Sequence, residues 1–285
     1  MKQDPLIPLF QDEDFQFHLG DSQKIIPSLA KDPYMDLVVT SPPYNIGKEY
    51  ETKKDFQAYI DWQEGIIDTI IPRLKNSGSV CWQVGNYIPG QGQIFPLDIA
   101  LHSIFSKHKL KLRNRIIWSY GHGTHAKKRF SGRYEVVMWY TKSDEYTFNL
   151  DAVRVPNKYP NKKHYTGPKK GQISSNPLGK NPSDIWDNIP NVKNNHVEKT
   201  SHPCQFPVGL IDRLVLALTN TGDLVFDPFM GVASAAVSAL RLGRRFEGIE
   251  LEKKYIKIAE ERISKLKRNE LDIRPHDKPI FDPKK

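Results

Sequence analysis

Residues 224–250 read Leu224-Val225-Phe226-Asp227-Pro228-Phe229-Met230-Gly231, then mostly small residues to Leu242, then Arg245-Phe246-Glu247-Gly248-Ile249-Glu250. Two short apolar runs flank a helical stretch over 234–242, which predicts strand, tight turn, helix and strand, with an acid at the end. This is a nucleotide-type βαβ unit. A turn of small residues lets backbone approach a ligand, and an acid roughly 20 residues on can accept from ribose hydroxyls. Glu250 holds that place. The turn is not GxGxxG, because Val232, Ala233, Ser234 and Ala235 follow Gly231. Asp227 would repel a pyrophosphate but suits an ammonium. The pattern therefore points to a nucleoside ligand with a cationic amino-acid group and no phosphate, a description that S-adenosylmethionine meets. An ordinary α/β crossover without a ligand shares much of the pattern.

Upstream, Met35-Asp36-Leu37-Val38-Val39 has the length and branching of a buried strand and runs into Thr40-Ser41-Pro42-Pro43-Tyr44-Asn45. Two prolines can neither extend a ladder nor enter a helix interior, so a stiff turn closes the strand. That turn gathers a hydroxyl, the Ser41 and Pro42 carbonyls and an aromatic ring. A planar base with an exocyclic amine needs such acceptors and such a ring. A plain proline-rich turn is the alternative. Helical patterns follow over 56–70, ending near Pro72, and over 94–105. Strand patterns cover 79–84, 115–118 and 135–140, and 47–54 reads as a mobile polar loop. Helices are expected from Pro207 and over 252–266, and the charged tail from Asn269 is expected to fray.

The formal net charge of +9 over 285 residues favours a polyanionic partner through counterion release. From about Val155 to Ser201 periodicity vanishes, and prolines, asparagines, glycines and lysines surround Tyr159, Tyr165 and Trp186. Basic residues interleaved with aromatics suit nucleic acid, although a disordered linker has similar composition. Two distant cysteines, Cys81 and Cys204, with no CxxC pairing argue against structural zinc or a disulfide framework. No signal peptide and no membrane span is read, and no metal is expected.

Taken together, these segments resemble the permuted (beta) class of DNA amino-methyltransferases, of SPPY type. Thr40 to Asn45 resembles the catalytic (S/D/N)PP(Y/F) motif, and Asp227-Pro228-Phe229-Met230-Gly231 resembles the DPFxGxG cofactor loop. His202-Pro203-Cys204-Gln205-Phe206-Pro207 is similar to the HPxxxP segment. Gly20-Asp21-Ser22 matches the short early motif, and Arg133-Tyr134-Glu135 opens a strand like the one closing the base pocket. The matches fall in the family's order across roughly 15–265. Two positions depart from it. Ala233 replaces the loop's second glycine, which is expected to set the backbone slightly further from the methionine moiety, and Phe206 replaces the usual lysine.

The resemblance implies an α/β, Rossmann-like S-adenosylmethionine-dependent fold with a mostly parallel sheet and an inserted basic target-recognition segment. Residues 1–150 would form the catalytic half, 151–201 the insertion, 202–268 the cofactor half and 269–285 the tail. Ser41, Pro42, Pro43 and Tyr44 would be catalytic: Tyr44 stacks on a flipped base while Ser41 and the Pro42 carbonyl accept from its amine. S-adenosylmethionine would be held by Asp21, Thr40, His202, Asp227, Pro228, Phe229, Gly231, Ala233 and Glu250, with Asn45 lining either pocket. Double-stranded DNA would meet Lys128, Arg129, Arg133, Lys162, Lys163, Lys169 and Lys170. The serine ahead of Pro-Pro-Tyr favours N4 of cytosine, and N6 of adenine stays open, as do an RNA methyltransferase and a binding-only protein. The family setting is a bacterial cytoplasm and nucleoid, with a homodimer and a companion restriction endonuclease both compatible with it, and no membrane.

Overall fold

The computed structural model describes residues 8–47, 52–89, 93–121 and 125–278. Part of the loop expected over 47–54 lies outside the described residues. At the centre runs β3 (Met35–Thr40), whose six residues are all buried. A strand covered on both faces reads as a continuous apolar run rather than an alternating one. Parallel neighbours lie on either side: β4 (Leu74–Val84) and β10 (Leu224–Asp227). β10 pairs with β11 (Arg245–Glu250), and β11 with β2 (Phe15–Leu19), both in parallel. The short β1 (Phe10–Gln11) closes that edge antiparallel. On the other side β8 (Tyr134–Thr141) and β7 (Lys111–Ser119) turn antiparallel, and β9 (Ile185–Trp186) ends the sheet. Among the described residues the order is β1-β2-β11-β10-β3-β4-β8-β7-β9, with a separate two-stranded ribbon of β5 (Asn86–Tyr87) and β6 (Phe95–Pro96).

Side chains alternate across this sheet and make two cores. Leu37, Val39, Cys81, Val225 and Phe246 face α4 (Val208–Leu218), α5 (Ser234–Arg241) and α6 (Lys253–Lys267). Val38, Val80, Trp82, Phe226 and Ile249 face α1 (Ser22–Ile25), α2 (Phe56–Ile70) and α3 (Leu97–Lys107). α2 shows how the helices are set: Asp55 caps Gln57 and Ala58, and Tyr59, Gln63, Ile66, Ile67 and Ile70 form its buried stripe. No helix among the described residues is long and apolar enough to cross a membrane.

Two sequence expectations change here. The patternless stretch divides. Residues 155–180 form an exposed finger whose limbs meet at antiparallel bridges Val155–Lys180 and Lys163–Ile173. Beyond it, β9 joins the main sheet beside β7, and Trp186, Ile189 and Val192 are buried in the core. The tail is not frayed through residue 276 either. Leu271 and Ile273 pack on the core, the Arg274 N–H donates to Glu198 and His276 pairs with buried Asp212. Apolar side chains at alternate positions hold it, a signal masked by the surrounding charge.

Candidate active site

Parallel α/β sheets bind ligands outside the carboxyl ends of their strands, where neighbouring loops diverge. β3 and β10 are adjacent parallel strands, so the turns after Thr40 and Asp227 emerge side by side. The Thr40 hydroxyl donates to Asp227 Oδ1 at 2.6 Å, joining the two motifs across 187 residues of sequence. They border a cleft of ≈ 500 Å³, within the size range of small-molecule sites.

At one end the walls are Asp21, Ser22, His202, Asp227, Pro228, Phe229, Gly231 and Glu250. Main-chain groups organise it. Glu250 accepts from the Gly231 N–H at 2.9 Å and from the Glu252 N–H at 2.8 Å. Asp227 Oδ1 also accepts from the Phe229 N–H at 3.0 Å, while Oδ2 has no partner among the described residues. Asp21 caps α1 through Gln23, and the Ser22 hydroxyl donates to the Pro228 carbonyl, tying the early motif to the loop. Gly231 has φ of +53°, and a Cβ there would lie 3.2 Å from His202 Nε2, so a larger residue would press on the His202 ring. Phe229 sits between Trp62 and Trp82, at centroid distances of 5.4 and 6.4 Å. Burial pushes the carboxyls of Asp227 and Glu250 up to about 7 each, opposed at Asp227 by the Thr40 bond and at Glu250 by its backbone donors.

Opposite lie Ser41, Pro42, Pro43, Tyr44, Asn45, Gln83, Trp118, Tyr120 and Glu135. The Tyr59 hydroxyl donates to the Pro43 carbonyl at 2.9 Å, so α2 buttresses the stiff turn. Asn45, at φ 60°, is 2 % exposed, and its amide clasps the backbone of Lys54 in both directions. Ser41 Oγ and the Tyr44 hydroxyl lie 2.8 Å apart, and the Tyr44 hydroxyl donates to Glu135 Oε2 at 3.1 Å. Gln83 Nε2 donates to Glu135 as well and reaches the Tyr44 oxygen at 3.3 Å. Gln83 Oε1 is buried without a partner among the described residues. The sheet register explains the cluster. Val84 opposes Val136 and Trp118 opposes Glu135, so Glu135 faces Gly85, the residue just past the end of β4. A Cβ on Gly85 would lie 3.3 Å from the Tyr44 ring and 3.7 Å from Glu135 Cγ. Glycine leaves the space in which these groups meet. Burial, then the Glu135 carboxyl, holds the Tyr44 phenol well above its usual range; burial raises Glu135 too.

Not every residue expected at the site reaches it. Thr40 and Ala233 are fully buried and absent from the cleft wall. Thr40 reaches the cleft only through its bond to Asp227, and Ala233 caps α5 in left-handed geometry with φ of 61°. Lys128 and Arg129 are exposed on the β7–β8 loop beside Phe130, which is 99 % exposed. Arg133 is half-buried with Nη1 unpartnered among the described residues. Lys162, Lys163, Lys169 and Lys170 are exposed along the finger, away from the cleft. Sequence reasoning missed Gln83, and it quoted Glu135 only as part of a strand. A polar residue inside an apolar run, as in Val80-Cys81-Trp82-Gln83-Val84, is the signal that singles out such positions. Trp118, Tyr120 and Lys193, which also lines the cleft, carried no local signal. No group of three or more His, Cys, Asp or Glu among the described residues is placed to hold a metal.

The fold superposes on those of solved DNA methyltransferases. PvuII DNA methyltransferase (cytosine-N4-specific) superposes with a TM-score of 0.69 over 93% of this chain and 95% of that one, at 20% identity. A Thermus thermophilus protein solved with S-adenosyl-L-methionine gives 0.62 over 88% and 93%, at 26% identity. In sequence, the type II methyltransferase M.BglII of Bacillus subtilis is 47% identical over 86% of this chain and 68% of its own length. The DNA adenine methyltransferase YhdJ of Escherichia coli K12 is 33% identical over 80% and 76%. The pattern of the DNA methylase family spans residues 35–261. The chain belongs to that family.

Proposed function

We propose that the protein is a site-specific DNA methyltransferase of the permuted class, transferring a methyl group from S-adenosylmethionine to N4 of a cytosine flipped out of duplex DNA. The observation that carries this reading is the Thr40–Asp227 hydrogen bond, which sets an amine-accepting turn beside an ammonium-accepting one. The residues present fit the cofactor. Asp227 Oδ2 is open for the ammonium, Gly231 leaves room for the methionine part, and Glu250 retains lone pairs for ribose hydroxyls. When bound, the cofactor supplies an electrophilic sulfonium methyl. Tyr44 stacks on the base, and Ser41 Oγ with the Pro42 carbonyl accepts its amine hydrogens, turning the nitrogen lone pair towards the methyl. Catalysis is chiefly positioning and stabilisation of charge arising on that nitrogen.

Duplex DNA is favoured by the lysine-bearing finger and by the β7–β8 loop, which leaves the cleft wall at Tyr120, returns to it at Glu135 and carries solvated Phe130 among Lys127, Lys128 and Arg129. An apolar side chain so placed can enter the stack where the base leaves. The relatives' type II designation favours a restriction-modification setting with a companion endonuclease. Adenine N6 is the second reading, favoured by the likeness to YhdJ. Mass spectrometry of nucleosides from duplex DNA incubated with protein and S-adenosylmethionine tests both. N4-methylcytosine is expected. N6-methyladenine would keep cofactor and fold but reverse the base, and no modified base on DNA of diverse sequence would overturn the reading.

A further inference from the structure

Glu135 is a half-buried carboxylate with no cationic partner among the described residues, at the end of a hydrogen-bonded chain that begins at Ser41. A phenol has one hydrogen, and Tyr44 gives it to Glu135. In the 2.8 Å contact with Ser41, the serine must therefore be the donor. Its own hydrogen then points at Tyr44, leaving its lone pairs for a ligand. Gln83, donating to both Glu135 and the Tyr44 oxygen, holds the arrangement from a second strand.

We propose that Glu135 is a positioning residue which, through Tyr44, fixes the Ser41 hydroxyl as an acceptor for the target amine and takes up the proton that the amine releases. This rests on the methyl-transfer reading above. As the amine nitrogen forms its bond to the methyl carbon, the carbon–sulfur bond breaks and its electron pair stays on sulfur. The nitrogen, now positive, loses one proton to Ser41 Oγ. The Ser41 proton passes to the Tyr44 oxygen, the Tyr44 proton passes to the Glu135 carboxylate, and Glu135 returns it to solvent. A serine is both donor and acceptor, so it needs a neighbour to set its direction. An aspartate there would not, being acceptor-only when ionised. The carboxylate that the Ser-Pro-Pro-Tyr turn lacks is thus supplied from β8. Burial, which raises the Glu135 carboxyl, suits it to hold a proton transiently. The titratable groups around the chain are Tyr44 itself, Tyr120 on the β7 side, Arg133 ahead of β8, and Cys204 near Tyr44.

Two measurements test this. In the first, methyl transfer to duplex DNA is followed in single turnover at saturating S-adenosylmethionine across pH. Glu135→Gln is expected to slow transfer by roughly 100-fold, with cofactor and DNA affinities within about twofold. It should also remove the rise in rate that the parent shows as Glu135 ionises, and Glu135→Asp should restore part of both. A parental rate in Glu135→Gln, or the same rise at lower rate, overturns the proposal. The second needs no catalysis. In infrared difference spectra of the free protein, a carboxyl band absent from Glu135→Gln should titrate at higher pH in Tyr44→Phe, because a donor to the ionised form is lost. An unmoved titration overturns the proposal. If the parent fails to methylate while this band behaves as expected, the methyl-transfer reading has failed and the bond network stands.

Discussion

The two ends of the cleft are built from different material. At the Asp227 and Glu250 end, carboxylates are gripped by backbone N–H groups of Gly231, Phe229 and Glu252. At the Ser41 end, the bonds run from side chain to side chain, through Tyr44, Gln83 and Glu135. A site made by main chain is fixed by the fold itself. A site made by side chains can be rewritten by substitution while the sheet stays as it is. On the proposed reading, the cofactor would occupy the first end and the target base the second.

The largest expected effect is at the backbone-built end. Asp227→Ala should weaken S-adenosylmethionine binding about 100-fold, the scale of a hydrogen bond to a charged group, and leave DNA affinity unchanged, as titration calorimetry would read. A comparable loss of DNA affinity would erase the division between the ends. The pH dependence follows from the carboxyls raised to about 7 at Asp227 and Glu250. Below that value they carry protons and accept poorly, so cofactor affinity should fall as pH drops through about 7. Stability of the free protein should run the other way. The folded state holds protons that unfolded Asp and Glu release near about 4, so stability falls as pH rises from there towards 7.

At the other end, Gly85→Ala should press on the Tyr44 ring and slow methyl transfer roughly tenfold, as small misplacements do, with cofactor affinity intact. An equal loss at both ends would mean that the sheet, not the side-chain cluster, had moved. Phe130→Ala should have a smaller effect: a few-fold loss on fully paired DNA, recovered when the target base is mispaired and easier to extrude. No recovery would remove Phe130 from the base-flipping step. The smallest effect is expected at Ala233→Gly. Relief of left-handed backbone, worth about 1 kcal/mol, nearly offsets loss of a buried methyl, worth about 0.8 kcal/mol. The melting temperature and cofactor affinity should both hardly move.

The strands at the sheet centre were legible because burial on both faces leaves apolar runs, as in 37–39 and 224–226. The two turns were legible because proline fixes the backbone locally and glycine admits left-handed geometry other residues avoid. Three features escaped. β2 carries the alternation Phe15, Phe17 and Leu19 over only five residues, too short to stand out before its pairing with β11 is seen. β9 has two residues, too few for any period. The meeting of Glu135 with Tyr44 depends on antiparallel register, which sets residues 91 apart in sequence side by side. Local patterns carry elements, while a site assembled across strands is written in pairing.

The finger leaves and rejoins the body at nearly one point, where Val155 pairs with Lys180 and the Gly179 backbone passes so close to Val155 that a Cβ there would lie 2.5 Å from its carbonyl. Beyond that clasp, residues 156–178 can be lengthened, shortened or exchanged as a cartridge without disturbing β9 or the cleft. Were the finger the segment that reads DNA, a new address would require no new catalyst, and one chemical machine could diversify as fast as its cartridge does.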